Sequence, residues 1–267
     1  MVHLLKIDLK KLSGYRTFWI VCGLYFVTLA FSTASGMEFL KWIARTFEDF
    51  GSRLNINRIP LYHFPDVWLN LIYFSGFFKI VLAIMTVISI TNEFQYRTLR
   101  QNVIDGLSRW QFLASKILTN LLLSFLSVAM IMIISFATGL IYTPKIDWGY
   151  VFADMEFLIA YFIEIFAFLS FALMLGVLIR RSGLTIILLL LSRMLELIIR
   201  ENIDEYVPWL IQLLPLESIS NLVPMPLKRY AFQEIRDYLT IGSITIALAW
   251  TFLFNYFSYL KLKHSDI

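Results

Sequence analysis

The sequence contains few of the residues from which soluble enzymes build reactive sites. Its 1 cysteine, Cys22, excludes an internal disulfide and a cysteine-based metal site. The 3 histidines, His3, His63 and His264, are too scattered for metal-ligand spacing. Charged residues make up 16% of the chain, whereas a soluble domain averages about 25%. The sequence therefore predicts no metal site and no cofactor.

Motifs of nucleotide binding and hydrolysis are also absent from the sequence. No Gly-x-x-x-x-Gly-Lys-[Ser/Thr] occurs, so the chain has no P-loop to cradle the phosphates of ATP. Neither a His-Glu-x-x-His motif nor a Gly-x-Ser-x-Gly nucleophile elbow is present. We therefore expect no catalytic residues, and any use of ATP would require a second polypeptide.

Apolar residues dominate instead, at 59% of the chain. So much apolar surface favours lipid as the solvent, and a membrane-spanning helix needs about 20 apolar residues. The fifth apolar segment is interrupted by Arg193 and Glu196. We predict one all-α polytopic membrane domain over residues 1–267, with six spans near 17–36, 71–90, 117–142, 157–179, 183–200 and 240–260.

The basic residues predict the orientation of these spans. Segments on one side of the predicted membrane are rich in Lys and Arg and poor in acids, which is typical of the cytoplasmic side. We therefore expect both termini to be cytoplasmic. The apolar run after Lys10 and Lys11 is too long for a signal peptide and has no small-residue cleavage site. The basic residues of the predicted inner side are Lys6, Lys10, Lys11, Arg16, Arg97, Arg100, Arg109, Lys116, Arg180, Arg181, Lys261 and Lys263.

Residues 1–13 have the pattern of an amphipathic helix. Their apolar residues recur at helical spacing, and charged residues fall off that face. Two interpretations fit the pattern: a helix lying on the membrane surface, which we favour, or a solvated lead-in to the first span. The apolar positions are Val2, Leu5, Leu9 and Leu12, and the charged ones are Lys6, Asp8 and Lys10.

Two longer connections are predicted on the outer side. In the loop 37–70, Leu40, Ile43, Phe47 and Phe50 form a second amphipathic stretch, which we expect to rest on the membrane. Residues 201–239 contain two short apolar runs interrupted by prolines. Neither run is long enough to span, so we expect this broken segment to stay at the outer side or to dip in and return.

The connection 91–116 is the most informative segment. It is polar, basic and compatible with a short helix between two long spans. Thr98 is positioned to cap that helix, Gly106 to end it, and Ser108 to cap the third span. A partner that pushes on such a helix would move both spans together.

This connection resembles that of the membrane permeases of type-2 ABC transporters, which are commonly exporters. Their motif has a Glu, then Gly-Thr, a short helix, a Pro-x-Ser-Arg turn and a Lys that opens the next span. Here the corresponding residues are Glu93, Arg97-Thr98, Gly106-Leu-Ser108-Arg109 and Lys116. Arg97 replaces the family's Gly, and Gly106 replaces its Pro. The amino-acid sequence of the segment also resembles that of permeases of this class from the Bacteroidetes.

The resemblance implies a function and partners. Residues 98–109 would be a coupling helix docked on a cytoplasmic ABC ATPase, with two ATPase subunits and a second permease copy, identical or paralogous. The membrane would be the bacterial cytoplasmic membrane, the other partners would be lipids, and no nucleic acid is expected. The residues implied in coupling are Glu93, Thr98, Arg100, Asp105, Gly106, Ser108 and Arg109.

Four ionisable residues lie inside predicted spans: Lys79, Glu164, Arg193 and Glu196. Counted from the outer ends of the spans, their depths are roughly 6–12 Å. We therefore expect Lys79 beside Glu164 or Glu196, and Arg193 beside the remaining acid, because unpaired charges are costly in a membrane. Two interpretations fit: a polar lining of a substrate path, or an ion network that fixes packing. Arg193, Glu196 and Arg200 share one helical face, which we expect to avoid lipid.

Two other functions compete with the exporter. One is a scaffold or assembly subunit that transports nothing, and the other is a membrane-embedded hydrolase or transferase. The missing catalytic motifs weigh against the enzyme. Copurification with an ATPase would separate the exporter from the enzyme, and substrate-dependent ATP hydrolysis would separate it from the scaffold.

Overall fold

The computed structural model describes residues 2–46, 62–204, 206–226 and 239–265. Within these ranges all regular secondary structure is helical, which confirms the all-α prediction. The helices are α1 Val2–Ser13, α2 Arg16–Thr46, α3 Val67–Gly76, α4 Lys79–Gln95, α5 Thr98–Ile104, α6 Arg109–Tyr142, α7 Trp148–Val151, α8 Phe157–Ile179, α9 Ser182–Asp204, α10 Pro208–Ile211, α11 Pro215–Ser220 and α12 Ile241–Lys263.

Five of these helices are long and apolar enough to cross a membrane: α2, α6, α8, α9 and α12. The pair α3–α4 is bent by 43° and makes a sixth span if the two helices are taken together. The chain is therefore a multi-pass membrane protein. The bend follows Ser75 and Gly76, and Gly/Ser pairs are a common cause of kinks because glycine favours helix poorly.

The helix that contains the first predicted span extends beyond it. The part of α2 that is apolar enough to cross a membrane is Arg16–Thr33, close to the predicted span 17–36, and the helix continues to Thr46. Leu40 and Ile43 of the predicted amphipathic stretch belong to this helix, while Phe47 and Phe50 lie outside the described residues. No proline occurs between residues 34 and 46, so nothing in the sequence stops the helix at the end of the span.

α8 is the central helix of the bundle. In the apolar stretch of α8, 67% of the residues are buried, whereas the figure for α9 is 17%. It packs against α3, α4, α6 and α12. Gly176 allows α4 to approach closely, because a Cβ at this position would lie only 2.3 Å from Ile90 Cγ2. The large apolar core is built around α8, and α9 presents most of its surface outward.

The segment after α9 folds back into the bundle without spanning it. α10 and α11 are far too short to cross a membrane. Leu216, Ile219, Leu222 and Val223 are nevertheless buried in the main core. The prediction that the broken segment does not span is confirmed for residues 206–226, and residues 227–238 lie outside the described part of the chain.

A second, smaller core lies at the end of the bundle that carries α5. Leu99 of α5 is 2% exposed and packs there with Ile90 of α4, Phe112 of α6, Val177 of α8 and Leu262 of α12. We call this the α5 end of the bundle. The short helix is thus anchored by its own apolar side chain among four spans.

Candidate functional site

A buried polar cluster joins α5 to the helices around it. Lys116 on α6 is 4% exposed, and its Nζ donates to Asp8 at 2.5 Å and to Glu93 at 3.2 Å. The other Glu93 carboxylate oxygen accepts a hydrogen bond of 2.5 Å from the Thr98 hydroxyl. Thr119 donates to the second Asp8 oxygen at 2.6 Å. This inner cluster, Asp8, Glu93, Thr98, Lys116 and Thr119, connects α1, α4, α5 and α6.

Helix α1 contributes more to this cluster than its pattern predicted. Asp8 falls off the apolar stripe, yet it is only 3% exposed because it faces Lys116 on α6. Leu12 of the same helix enters the main core. Lys11 lies 3.6 Å from Glu93 and donates to Asn102 of α5 at 3.1 Å. α1 therefore packs against the bundle and contacts the short helix directly.

The backbone at both ends of α5 is tightly defined. Arg97, at its N-terminal end, is left-handed with φ 55°. At the other end Gly106 has φ +94°, and the amides of Gly106 and Leu107 bond back to Val103 and Asn102 in a Schellman motif. Ser108 then caps α6 in a reciprocal capping box with Gln111.

Two of the three capping predictions are therefore confirmed, those for Gly106 and Ser108. The prediction for Thr98 is wrong, because Thr98 is the first helical residue and its hydroxyl donates to Glu93. Arg97 occupies the N-cap position, so Thr98 lies one residue too far along the chain to cap the helix.

The remaining residues implied in coupling divide into two groups. Arg100 and Asp105 are exposed, as are Gln101 and Ile104, the last at 69%. Arg109 instead turns to the end of α12, where its Nη1 donates to the carbonyls of Leu262, at 2.9 Å, and Lys263. Arg109 thus caps the last helix, and the exposed surface of α5 belongs to the other residues.

The four charges inside the spans pair as predicted. Lys79 Nζ lies 2.5 Å from Glu164 Oε1, and the Phe168 ring centroid lies 5.3 Å from the same nitrogen. Gly76 makes room for this carboxylate, since a Cβ there would lie 3.3 Å from Glu164 Oε1. Arg193 Nη1 donates to Glu196 at 3.3 Å, one turn along α9.

An acid outside the predicted spans completes the second group of charges. Glu217 on α11 lies 2.8 Å from Arg193 and 2.9 Å from Arg200. Glu196 accepts from the Leu216 amide at 2.8 Å, so it caps α11. α11 therefore packs over the predicted charged face of α9, where Glu196 is buried and Arg193 and Arg200 are partly exposed. In the sequence, Pro215 marks the start of the short helix that carries Glu217, but it does not indicate which residues this acid contacts.

A cavity of about 300 Å³ lies between the bent pair, α8, α9 and α11. Lys79 and Glu164 line one side of the cavity and Arg193 the other, while the rest of the wall is mainly apolar and aromatic. Glu196 contacts α11 instead. The cavity is therefore mainly apolar, and each cation on its wall is paired with a carboxylate: Lys79 with Glu164, and Arg193 with Glu196 and Glu217.

The fold and these clusters define a polytopic helical membrane protein. In the described ranges, no group of three or more His, Cys, Asp and Glu is placed to hold a metal ion. Residues 54–267 match the model of a family described as "Protein of unknown function (DUF2705)", and the chain belongs to that family. No curated protein matches the chain.

Proposed function

We propose that this protein is the transmembrane subunit of an ATP-driven ABC exporter in a bacterial cytoplasmic membrane. The observation that carries the proposal is the inner cluster. Glu93, Thr98 and Lys116, which belong to the motif that resembles type-2 permeases, meet in it although 23 positions separate Glu93 from Lys116. A motif whose members contact one another supports a common role.

Residue 97 gives this proposal independent support. Arg97 stands where the related permeases have glycine, and it adopts the left-handed conformation that glycine adopts most readily. The departure in sequence therefore leaves the backbone at this position in a glycine-like conformation. Arg97 thus has the backbone conformation that the family's glycine would favour.

The anchoring of α5 supports its role as the coupling helix. Leu99 fixes it in the second core, Thr98 ties it to α4, and the turn 105–108 leads directly into the capped start of α6. A displacement of α5 must move the ends of α4 and α6, because packed interiors deform little. ATP hydrolysis on a partner would reach the spans through this route.

The exposed face of α5, formed by Gln101, Ile104 and Asp105, suits a protein partner. Ile104 is 69% exposed and is flanked by the polar side chains of Gln101 and Asp105, which bond to each other at 2.9 Å. An apolar side chain within a polar rim is the usual composition of a small interface centre. We assign this face to the cytoplasmic ATPase.

The cavity lined by Lys79, Glu164 and Arg193 is our candidate for part of the translocation path. In this proposal both termini are cytoplasmic, and a second permease copy, identical or paralogous, completes the path between the subunits. The charges at 79, 164, 193 and 196 then also hold the wall of the path in position.

Copurification from native membranes tests the proposal. The intact chain should retain a P-loop ATPase, and Ile104→Asp should lose it while still inserting into the membrane. Lys145→Glu is a matched control, because Lys145 is exposed beyond the opposite end of α6. Retention of no ATPase by the intact chain would favour the scaffold or enzyme functions.

A further inference from the structure

Three arginines line a second cavity at the α5 end of the bundle. Arg97, Arg100 and Arg180 border a pocket of about 340 Å³ between the ends of α4, α5, α8 and α12. This volume is within the range of small-molecule sites, about 300–1,000 Å³. Three guanidinium groups around one pocket repel one another unless an anion lies between them.

No carboxylate of the described residues lies within ion-pair distance of these arginines. Glu93 also lines the pocket, but its two oxygens are engaged by Thr98, Lys116 and Lys11. Among the described residues, the acid that lines the pocket is therefore already engaged and does not pair with the arginines.

The Arg180 side chain is fixed by an aromatic contact at the edge of the pocket. Its guanidinium carbon lies 5.0 Å from the centroid of the Phe94 ring, a cation–π contact. It ends α8 in a left-handed conformation with φ 60°. Its Nε is buried and has no hydrogen-bond partner among the described residues. A buried donor without an acceptor is costly, so a bound acceptor would stabilise this arrangement.

We propose that this pocket binds the phosphate group of an anionic phospholipid. The planar guanidinium group matches the oxygens of a phosphate in pairs. The pocket lies where α4 and α8 end, which is the level of the headgroups, and the exposed rings of Tyr96 and Trp110 at the same end are typical of that level. Basic pockets between spans are a common form of lipid recognition.

Lipid binding to the purified chain, without any ATPase, tests this proposal separately from the transport function. The detergent-solubilised protein is titrated with short-chain phosphatidylglycerol, phosphatidylcholine of the same chain length, or inorganic phosphate. Retained lipids are counted by mass spectrometry of the intact complex. We expect phosphatidylglycerol to bind at least about tenfold more tightly than phosphatidylcholine. Both lipids carry a phosphate, but the choline of phosphatidylcholine adds a positive charge that the three arginines repel.

Arg180→Gln should remove this preference, whereas Arg181→Gln should retain it. The two variants lose the same charge at neighbouring positions, but only Arg180 lines the pocket. If Arg180→Gln does not fold, Arg97→Gln with Arg100→Gln replaces it, since both of these side chains are exposed.

Three results would overturn the proposal: equal binding of the two lipids, equal loss of the preference in Arg180→Gln and Arg181→Gln, or inorganic phosphate matching phosphatidylglycerol. The last result would identify a site for free phosphate.

Discussion

Lys116 and Asp8 form a buried ion pair with a distance of 2.5 Å between Nζ and Oδ1, although 108 residues separate them. The pair fastens the first helix of the chain to the long span α6. Glu93 contacts the same ammonium group, and Thr98 contacts Glu93. Lys116 therefore links α1, α4 and α6 beside the short helix, and Thr98 connects that helix to the same group.

Lys116→Met should destabilise the protein strongly. It leaves Asp8 and Glu93 buried without their shared cation, and breaking a buried pair costs about 3–5 kcal/mol. The free energy of unfolding in mixed detergent micelles measures this loss. Lys116→Met combined with Asp8→Asn should lose less than the sum of the two single changes. Strict additivity would show that the pair contributes no coupling energy.

The pairing of Lys79 predicts a selective coupling. In a double-mutant cycle, Lys79→Met and Glu164→Gln should be coupled by more than about 1 kcal/mol, since the two groups are 2.5 Å apart. The same lysine change combined with Glu196→Gln is the control and should be additive, because Glu196 contacts Arg193 and α11. Coupling to Glu196 of equal size would contradict the observed pairing.

The sequence predicted the spans and the charge pairs for different reasons. Long apolar runs fix a span almost alone, and charges at equal depth must neutralise one another. The bend between Gly76 and Lys79 was not predicted, because Gly76 is a weak local signal. Asp8 and Glu217 were missed as partners, since each lies outside the spans and meets its lysine or arginines only through tertiary packing.

Glycine should be the favoured residue at both left-handed positions, 97 and 106. Arg97→Gly relieves a left-handed conformation that costs other residues roughly 1–2 kcal/mol, so the free energy of unfolding should be unchanged or slightly higher. Gly106→Ala should lower it by about 1–2 kcal/mol, because Gly106 has φ +94°. An added Cβ there meets no atom within 4 Å, so this loss reports backbone conformation alone. Strong destabilisation by Arg97→Gly would indicate a contact that the arginine side chain itself provides.

Cysteine labelling tests the proposed orientation. In a Cys22→Ser background, cysteines at Asn202 and Lys228 should react with a membrane-impermeant reagent added outside intact cells. A cysteine at Gln101, exposed on α5, should react only after the cells are permeabilised. The reverse pattern would place α5 on the outer side, where a cytoplasmic ATPase has no access to it.

The most direct test of the coupling role is photo-crosslinking from α5 in native membranes. A photoreactive amino acid at Ile104, which is 69% exposed, should give a covalent adduct with a P-loop ATPase. The same amino acid at Lys145, beyond the opposite end of α6, should give none. An adduct at 104 without a nucleotide-binding protein, or equal ATPase adducts at both positions, would contradict the proposal that α5 couples this protein to an ATPase.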